Sequence, residues 1–93
     1  MYSIDYTGKF KKDLKLCQRR GYDLTSIKTV IKCLELNGCV PEEYSPHTLS
    51  GKLNGYWECH IEPDWLLIYD VNDVVRLVTL VRTGTHSDLL SKK

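Results

Sequence analysis

Three histidines, one aspartate and one arginine are the residues of this chain best suited to moving protons and holding phosphate. His60 comes shortly before Asp64, Arg82 comes shortly before His86, and His47 stands alone upstream. An unperturbed imidazole titrates near ~6.5, so it can give or take a proton near neutral pH. A guanidinium can stabilise negative charge as it develops on a phosphate. These residues therefore indicate acid–base chemistry on a phosphate ester.

This combination suits the cleavage of RNA better than other reactions. A base can take the proton of the 2′-hydroxyl while an acid protonates the leaving 5′-oxygen and a cation stabilises the phosphorane. Such a mechanism needs no metal ion, and histidine pairs can supply both the base and the acid. Since the 2′-hydroxyl is the nucleophile, the site would cut RNA and not DNA. We therefore expect no metal and no cofactor.

Each of these residues also has a structural alternative that the sequence leaves open. A lone histidine is more often structural or merely exposed than catalytic. Asp64 follows Pro63, where an aspartate commonly bonds its own backbone in a turn. Trp65 begins a strand, where tryptophan is more often part of the core than a platform for a ligand. Arg82 could pair with an acid such as Glu62. The catalytic interpretation therefore depends on whether the histidines converge.

A β-hairpin would bring the two polar clusters together. Residues 66–69 and 74–81 are rich in branched apolar side chains, which are typical of strands. The residues between them, 70–73, have turn chemistry. A hairpin returns the chain to the end of the sheet where it began. The pattern therefore predicts that segments 60–65 and 82–86 meet at one end of the sheet.

Two helices are predicted in the first third of the chain. The first lies between Thr7, which can cap it, and Gly21, which can end it. The second begins near Asp23 or Thr25 and ends at Asn37-Gly38. Their predicted buried faces follow helical spacing and comprise Phe10, Leu14 and Cys17 in the first helix and Leu24, Ile27, Ile31 and Leu34 in the second. The short connection predicts an antiparallel helical hairpin.

Further strands are predicted at residues 2–6, 47–49 and 56–61. In the last of these, the side chains alternate, with Trp57, Cys59 and Ile61 on one face and Tyr56, Glu58 and His60 on the other. The element order predicts an α+β fold with an N-terminal strand and a two-helix hairpin packed on a curved, mainly antiparallel β-sheet. We expect a single domain over residues 1–93.

The composition is that of an ordinary globular domain, with 42% hydrophobic and 27% charged residues. The apolar runs are far shorter than the ~20 residues that cross a bilayer, and no signal-peptide pattern opens the chain. We therefore expect a cytoplasmic protein that does not bind membranes. The net charge of +1 divides into +5 over residues 1–32 and −4 over residues 33–93. The basic part could contact nucleic acid or an acidic protein, or could simply be a solvated helix face.

The four cysteines favour neither a zinc site nor disulfides. They contain no C-x-x-C pair, and a reducing compartment makes structural disulfides unfavourable. Cys17, Cys33 and Cys59 occupy positions where an apolar residue would fit, whereas Cys39 lies in a predicted loop. We expect the first three to behave as small buried hydrophobic residues.

The chain resembles the YafQ-type toxins of the RelE/ParE superfamily, the toxin halves of bacterial type II toxin–antitoxin pairs. The resemblance extends from Tyr2 to Leu90 and includes the basic segment 9–14 and the segment 47–51. Its most specific parts are segments 60–69 and 82–86. The resemblance implies the fold described above and a metal-independent mRNA endonuclease that acts in the A site of the 70S ribosome. It also implies a cognate antitoxin of the DinJ/RelB type, with operator DNA bound only through that antitoxin.

The resemblance also assigns roles to individual residues. It implies proton-handling roles for His47, His60, Asp64 and His86 and a phosphate-stabilising role for Arg82. The residues expected to contact or place the substrate are Trp65, Lys9, Lys52 and Leu90. The family usually carries an aromatic residue where this chain has Leu90, which cannot stack on a base, so substrate preference or turnover could differ. Lys11, Lys15 and Arg19 could meet acidic residues of the antitoxin.

Two other functions remain open at this point. A toxin of the same fold could bind and inhibit DNA gyrase without nuclease chemistry, as in the ParE branch. An inactive member could act only in a repressor complex with its antitoxin. The three histidines together with Asp64 and Arg82 favour the nuclease, because a purely binding toxin has no need of them.

Overall fold

The computed structural model describes residues 1–90 and arranges them as five β-strands and three α-helices. The strands are β1 (Ser3–Tyr6), β2 (His47–Thr48), β3 (Trp57–Glu62), β4 (Trp65–Asn72) and β5 (Leu77–Gly84). The helices are α1 (Gly8–Arg19), α2 (Leu24–Asn37) and α3 (His86–Leu90). Single turns of 3-10 helix lie at Glu42–Tyr44 and Gly51–Leu53. None of the helices within residues 1–90 is long and apolar enough to span a lipid bilayer.

Side-chain caps fix the ends of the first two helices, as predicted. The hydroxyl of Thr7 accepts the backbone N–H of Phe10 at 3.0 Å, and the carboxylate of Asp23 accepts that of Thr25 at 3.0 Å. Gly38 ends α2 with a φ of +73°, and a Cβ at this position would lie 2.5 Å from the ring of Tyr2. The loop after α2 therefore requires glycine both for its backbone conformation and for its contact with Tyr2, just before β1.

The five strands form one mixed sheet in the order β1-β5-β4-β3-β2. β1 runs parallel to β5, and the other neighbouring pairs are antiparallel. The predicted α+β fold class is confirmed. β-Bulges interrupt the register of β3 against β4 between His60 and Glu62, and that of β4 against β5 at the middle of β4, between Ile68 and Tyr69.

The turn between β4 and β5 differs from the prediction. The chain turns at residues 73–76 and not at 70–73, so Val74 does not begin a strand and is 93% exposed. The side chain of Asn72 accepts the backbone N–H groups of Val74 and Val75 at 3.0 and 3.2 Å. Arg76 then adopts a φ of +55°. The local side-chain bond therefore outweighs the strand propensity of the two valines.

The hydrophobic core lies between the helices and one face of the sheet. Its buried side chains include Phe10, Cys17, Ile27, Val30 and Leu34 from the helices and Cys59, Ile61, Leu67, Tyr69, Val78 and Leu80 from the sheet. Cys17 and Cys59 are buried as predicted, whereas Cys33 is only half-buried. Val30 is fully buried although it was absent from the predicted stripe of α2. Leu66 and Ile68, which alternate with these core residues in β4, are also buried but lie on the opposite face of the sheet.

The chemistry-bearing side chains of the strands lie on this opposite face. Directly paired residues of neighbouring strands share a face. The register pairs Glu58 with His47 of β2 and with Ile68 of β4, and Ile68 in turn pairs with Arg82 of β5. His60 lies on the same face, two residues after Glu58. One cross-strand row thus carries His47, Glu58 and Arg82.

Helix α1 closes the free edge of β5 beyond the end of β1. β1 pairs with Leu77 to Leu80 only, which leaves the last residues of β5 without a strand on that side. There the hydroxyl of Thr7 donates to the carbonyl of Val81 at 2.8 Å, and the carboxylate of Asp13 accepts the N–H of Thr83 at 3.1 Å. The side chains of Thr7 and Asp13 therefore make the hydrogen bonds that a neighbouring strand would otherwise make with the backbone of β5.

Candidate active site

The three histidines form a row at one end of the sheet. The ring centroids of His47 and His60 are 6.3 Å apart, and those of His60 and His86 are 5.9 Å apart. His47 comes from β2, His60 from β3, and His86 opens α3 directly after β5. The predicted convergence of segments 60–65 and 82–86 is confirmed. The turn between β4 and β5 was predicted in the wrong place, but it lies at the other end of the strands and does not affect this convergence.

Asp64 holds His86 through two hydrogen bonds. One oxygen of its carboxylate accepts the backbone N–H of His86 at 3.1 Å and lies 2.8 Å from the ring Nδ1. Hydrogen bonds from the ring and the backbone of His86 lower the pKa of Asp64. Since an ionised carboxylate can only accept, Nδ1 carries a proton and Nε2 is left to exchange one with a substrate. Both side chains are more than half exposed.

We predict that the titration of Asp64 reports on this bond. The carboxyl should titrate below the ~3.9 usual for aspartate, and His86→Ala should move its midpoint up toward that value. Because the folded-state pKa is the lower one, the stabilisation is present above the unfolded pKa and is lost as pH falls through the folded value. NMR of the side-chain carboxyl carbon measures the shift.

Asp23 provides the internal control for this titration. Its pKa is also lowered, but by hydrogen bonds from Thr25 at the start of α2. Its midpoint should therefore be the same in the wild type and in His86→Ala. An unchanged Asp64 midpoint in the variant would show that the bond to His86 does not hold in solution.

A buried carboxylate lies under the histidine row. Glu58 is only 3% exposed, and its Oε1 lies 3.1 Å from Nε2 of His47. No protein group within residues 1–90 bonds its other oxygen, Oε2. The alternation of β3 puts Glu58 on the predicted polar face, as observed, but indicates no role for it. The signal that could have identified Glu58 is its position opposite His47 in the neighbouring strand and two residues before His60.

The histidines differ in which ring nitrogens remain available. Nδ1 of His47 lies 3.2 Å from the carbonyl of Thr48, and Nε2 faces Glu58, so both nitrogens face acceptors. Nδ1 of His60 lies 3.4 Å from the carbonyl of Pro63, and no group within residues 1–90 bonds Nε2 of His60 or of His86. His60 and His86 are therefore the two rings that can exchange a proton with a substrate.

One group of these side chains could also hold a metal ion. Ligand atoms of His47, Glu58 and His60 all lie within 4.8 Å of one another. Two imidazole nitrogens and a carboxylate oxygen form a donor set that suits Zn²⁺, Cu²⁺ or Ni²⁺. The buried, unpartnered oxygen of Glu58 fits this use.

Arg82 is held by an acid that the sequence analysis did not identify. Its Nε and Nη2 donate to the carboxylate of Asp13 at 2.6 and 3.0 Å, and Asp13 raises the pKa of Arg82. The suggested partner Glu62 is not involved. The pair is mostly buried, and Asp13 also binds the N–H of Thr83. Asp13 therefore fixes the guanidinium at the free edge of β5 while leaving its Nη1 unused by this carboxylate.

The residues expected to contact or place the substrate lie on four different elements. Trp65 is 3% exposed, its Nε1 donates to the hydroxyl of Thr83 at 2.9 Å, and its ring packs edge-on against Tyr22. Trp65 therefore belongs to the core, and its expected role in placing the substrate stays a prediction. Lys9 is exposed on the first turn of α1, and Lys52 is exposed on the 3-10 turn after β2. Leu90 is exposed at the end of α3.

The fold and this cluster of side chains define the class of protein. A helical hairpin on one face of a five-stranded sheet, with histidines and carboxylates at one end of the other face, is an α+β domain of the RelE/ParE type. The chain belongs to the YafQ family of bacterial toxins of type II toxin–antitoxin systems, whose family model matches residues 2–91.

Individual relatives are similar over almost their whole length. The mRNA interferase toxin YafQ of Escherichia coli K12 is 41% identical over 87 residues, which cover 92% of each chain. The crystal structure of the E. coli DinJ-YafQ toxin-antitoxin complex contains a chain that superposes with a TM-score of 0.85 at 40% identity, covering 95% of this chain and 96% of that one. A metal-bound toxin from Helicobacter pylori gives a TM-score of 0.86 at 37% identity, covering 96% and 99%.

Proposed function

We propose that this protein is a toxin that cleaves mRNA by metal-independent acid–base chemistry with attack by the 2′-hydroxyl. The observation that carries the proposal is the row of three histidines, of which His60 and His86 keep Nε2 open and lie 5.9 Å apart. The similar E. coli protein is an mRNA interferase toxin. A pure binding toxin would not need two imidazoles positioned to exchange protons.

The geometry supports a division of roles among these residues. A carboxylate beside an imidazole stabilises the protonated ring, which is the form that donates, so we assign His86 with Asp64 as the acid for the leaving 5′-oxygen. His60 then takes the proton of the 2′-hydroxyl. His47, held by Glu58, and Arg82, held by Asp13, supply positive charge for the phosphorane.

The exposure of the site supports a requirement for the ribosome. The side chains of His86 and Asp64 are 51% and 66% exposed, and the site is an open surface at the end of the sheet. An open surface positions a flexible RNA strand poorly, and positioning is a large part of catalysis. An mRNA held in the A site would already be ordered. We therefore place the activity on translating ribosomes, in the cytoplasm.

A purified translation system tests this proposal directly. Discrete cuts in a translated mRNA, mapped by primer extension, should require both the toxin and ribosomes and should persist with a chelator that removes transition metals but leaves Mg²⁺. Loss of cleavage with the chelator would move the proposal to a metal site at His47, Glu58 and His60. No cuts by the folded protein would overturn the nuclease, and inhibition of gyrase supercoiling would then identify a ParE-like toxin.

An apolar groove between α1 and α2 is the proposed binding site of the antitoxin. The groove has a volume of about 470 Å³, and its apolar walls come mainly from Ile4, Phe10, Leu14, Ile27 and Leu80. Lysines at positions 11, 15 and 28 stand on its rim. This combination suits an amphipathic helix with acidic flanks. The E. coli relative forms a complex with DinJ, which supports an antitoxin here, and operator DNA would be bound through that antitoxin.

Charge reversal on the rim should weaken antitoxin binding. Lys15→Glu combined with Lys28→Glu places like charges opposite an acidic helix, so we expect about a tenfold or larger rise in Kd at low salt. Titration calorimetry with the product of the neighbouring gene measures it. Lys12→Glu changes an exposed lysine of α1 that does not line the groove, and should leave Kd nearly unchanged. Equal effects of both changes would refute the groove as the binding site.

A further inference from the structure

A reciprocal pair of hydrogen bonds begins helix α3. The carboxylate of Asp88 accepts the backbone N–H of Thr85 at 2.9 Å, and the hydroxyl of Thr85 accepts the backbone N–H of Asp88 at 3.1 Å. This arrangement is a capping box, which fixes the first turn of a helix. His86 lies inside this turn, directly after Thr85. The bonds therefore set the direction in which His86 leaves the backbone.

The same carboxylate is bound by the far end of α1. Nη1 and Nη2 of Arg20 donate to the two oxygens of Asp88 at 2.7 and 3.1 Å. The hydrogen bond from Arg20 is the main cause that lowers the pKa of Asp88, so the carboxylate stays ionised well below the usual range. Asp88 also packs on Gly84, where a Cβ would lie 2.8 Å from its Oδ2. Asp88 thus joins α1, the end of β5 and α3.

We propose that Arg20 and Asp88 are positioning residues that hold His86 against Asp64 for RNA cleavage. The proposal rests on the function proposed above for His86. Within the described part of the chain, helix α3 spans five residues, far fewer than an independently stable helix needs. None of its residues is fully buried, so packing alone holds it weakly. The bidentate contact with Arg20 supplies the missing restraint.

The contact between Arg20 and Asp88 lies outside the hydrophobic core, so its loss should affect catalysis and not folding. α3 follows the last strand, and the hydrophobic core is complete without it. Loss of the Arg20 bond should therefore loosen the first turn of α3 while the sheet and helices α1 and α2 remain folded. The effect should appear in the rate of the chemical step, since His86 would then sample positions away from Asp64.

Arg20→Gln tests the proposal, with Arg76→Gln as a matched control at the opposite end of the sheet. We expect Arg20→Gln to lower kcat for ribosome-bound mRNA by about tenfold to a hundredfold with little change in KM or melting temperature. Arg20→Lys, which keeps one charged donor, should recover part of the loss. The Asp64 titration midpoint, measured by NMR without RNA, should rise in Arg20→Gln and stay unchanged in Arg76→Gln.

The two readouts distinguish failure of the positioning role from failure of the proposed function. If His86→Ala abolishes cleavage while Arg20→Gln changes neither kcat nor the Asp64 titration, the positioning role is wrong and the nuclease stands. If the Asp64 titration shifts in Arg20→Gln but His86→Ala still cleaves, the tether exists and the role given to His86 is wrong. Equal losses of kcat in Arg20→Gln and Arg76→Gln would show that the effect comes from the change in overall charge, and would overturn the proposal.

Discussion

Replacing His86 by alanine should lower the rate of mRNA cleavage by about 10²- to 10⁴-fold, the range that a positioned acid or base contributes. His86 has the structural features of a proton donor: Asp64 lies 2.8 Å from Nδ1, and Nε2 is open to a substrate. The ring is half exposed and contributes nothing to the core, so the melting temperature should hardly change. Single-turnover cleavage on programmed ribosomes measures the rate, and thermal melting checks the fold.

A modified substrate can show which proton His86 handles. In an RNA whose leaving 5′-oxygen is replaced by sulfur, the leaving thiolate needs no proton from an acid. If His86 is the acid, His86→Ala should cut this substrate nearly as fast as the wild type does, while His60→Ala should remain slow. The reverse pattern would exchange the two roles. Equal slowness of both variants would mean that neither histidine serves as the acid.

Replacing Glu58 by glutamine should separate activity from stability. Glutamine keeps the size of the side chain and removes the buried charge that faces His47. We expect cleavage to fall about 10²-fold, because a cation beside the reacting phosphate loses the carboxylate that stabilises it. Folding stability should stay the same or rise, since Oε2 of Glu58 is buried with no partner among the first 90 residues and a charge in that position is costly. Activity assays and denaturant melts on the same samples measure both effects.

Two controls support this experiment. Glu62→Gln removes an exposed carboxylate at the end of the same strand and should change neither quantity. His47→Ala should match the activity loss of Glu58→Gln, and the double variant should be no worse than either single one, because the two residues act as a pair. A clear drop in stability for Glu58→Gln would instead show that the carboxylate mainly supports the fold.

The sequence predicted the elements of this fold because their signals are local. Thr7, Asp23 and Gly38 cap or end helices through bonds within a few residues, and the alternation in β3 follows from the pleat of a strand. The site could be predicted in outline for a related reason. Pro63 follows β3, and the polar segment from Arg82 lies at the end of β5. A hairpin between β4 and β5 brings these two ends together wherever its turn lies.

The partners of the charged residues could not be predicted, because they are far apart in sequence. Asp13 binds Arg82 across 69 positions, and Arg20 binds Asp88 across 68. These contacts depend on how α1 lies along the free edge of β5, which no periodic pattern reveals. The burial of Glu58 likewise depends on the neighbouring strands and not on β3 itself. Spacing identified which residues could do chemistry, and packing decided which ones are held in place.

The position of the β4–β5 turn has a practical consequence. The turn lies at one end of β4 and the histidines gather at the other, so this eight-residue strand separates them by about 25 Å. The turn is closed by Asn72, and Val74 at its tip is almost fully exposed. Exposed tips of this kind tolerate insertions and chemical attachment. A fluorophore attached there would test the proposed binding to the ribosome while leaving the end of the sheet that carries the histidines unmodified.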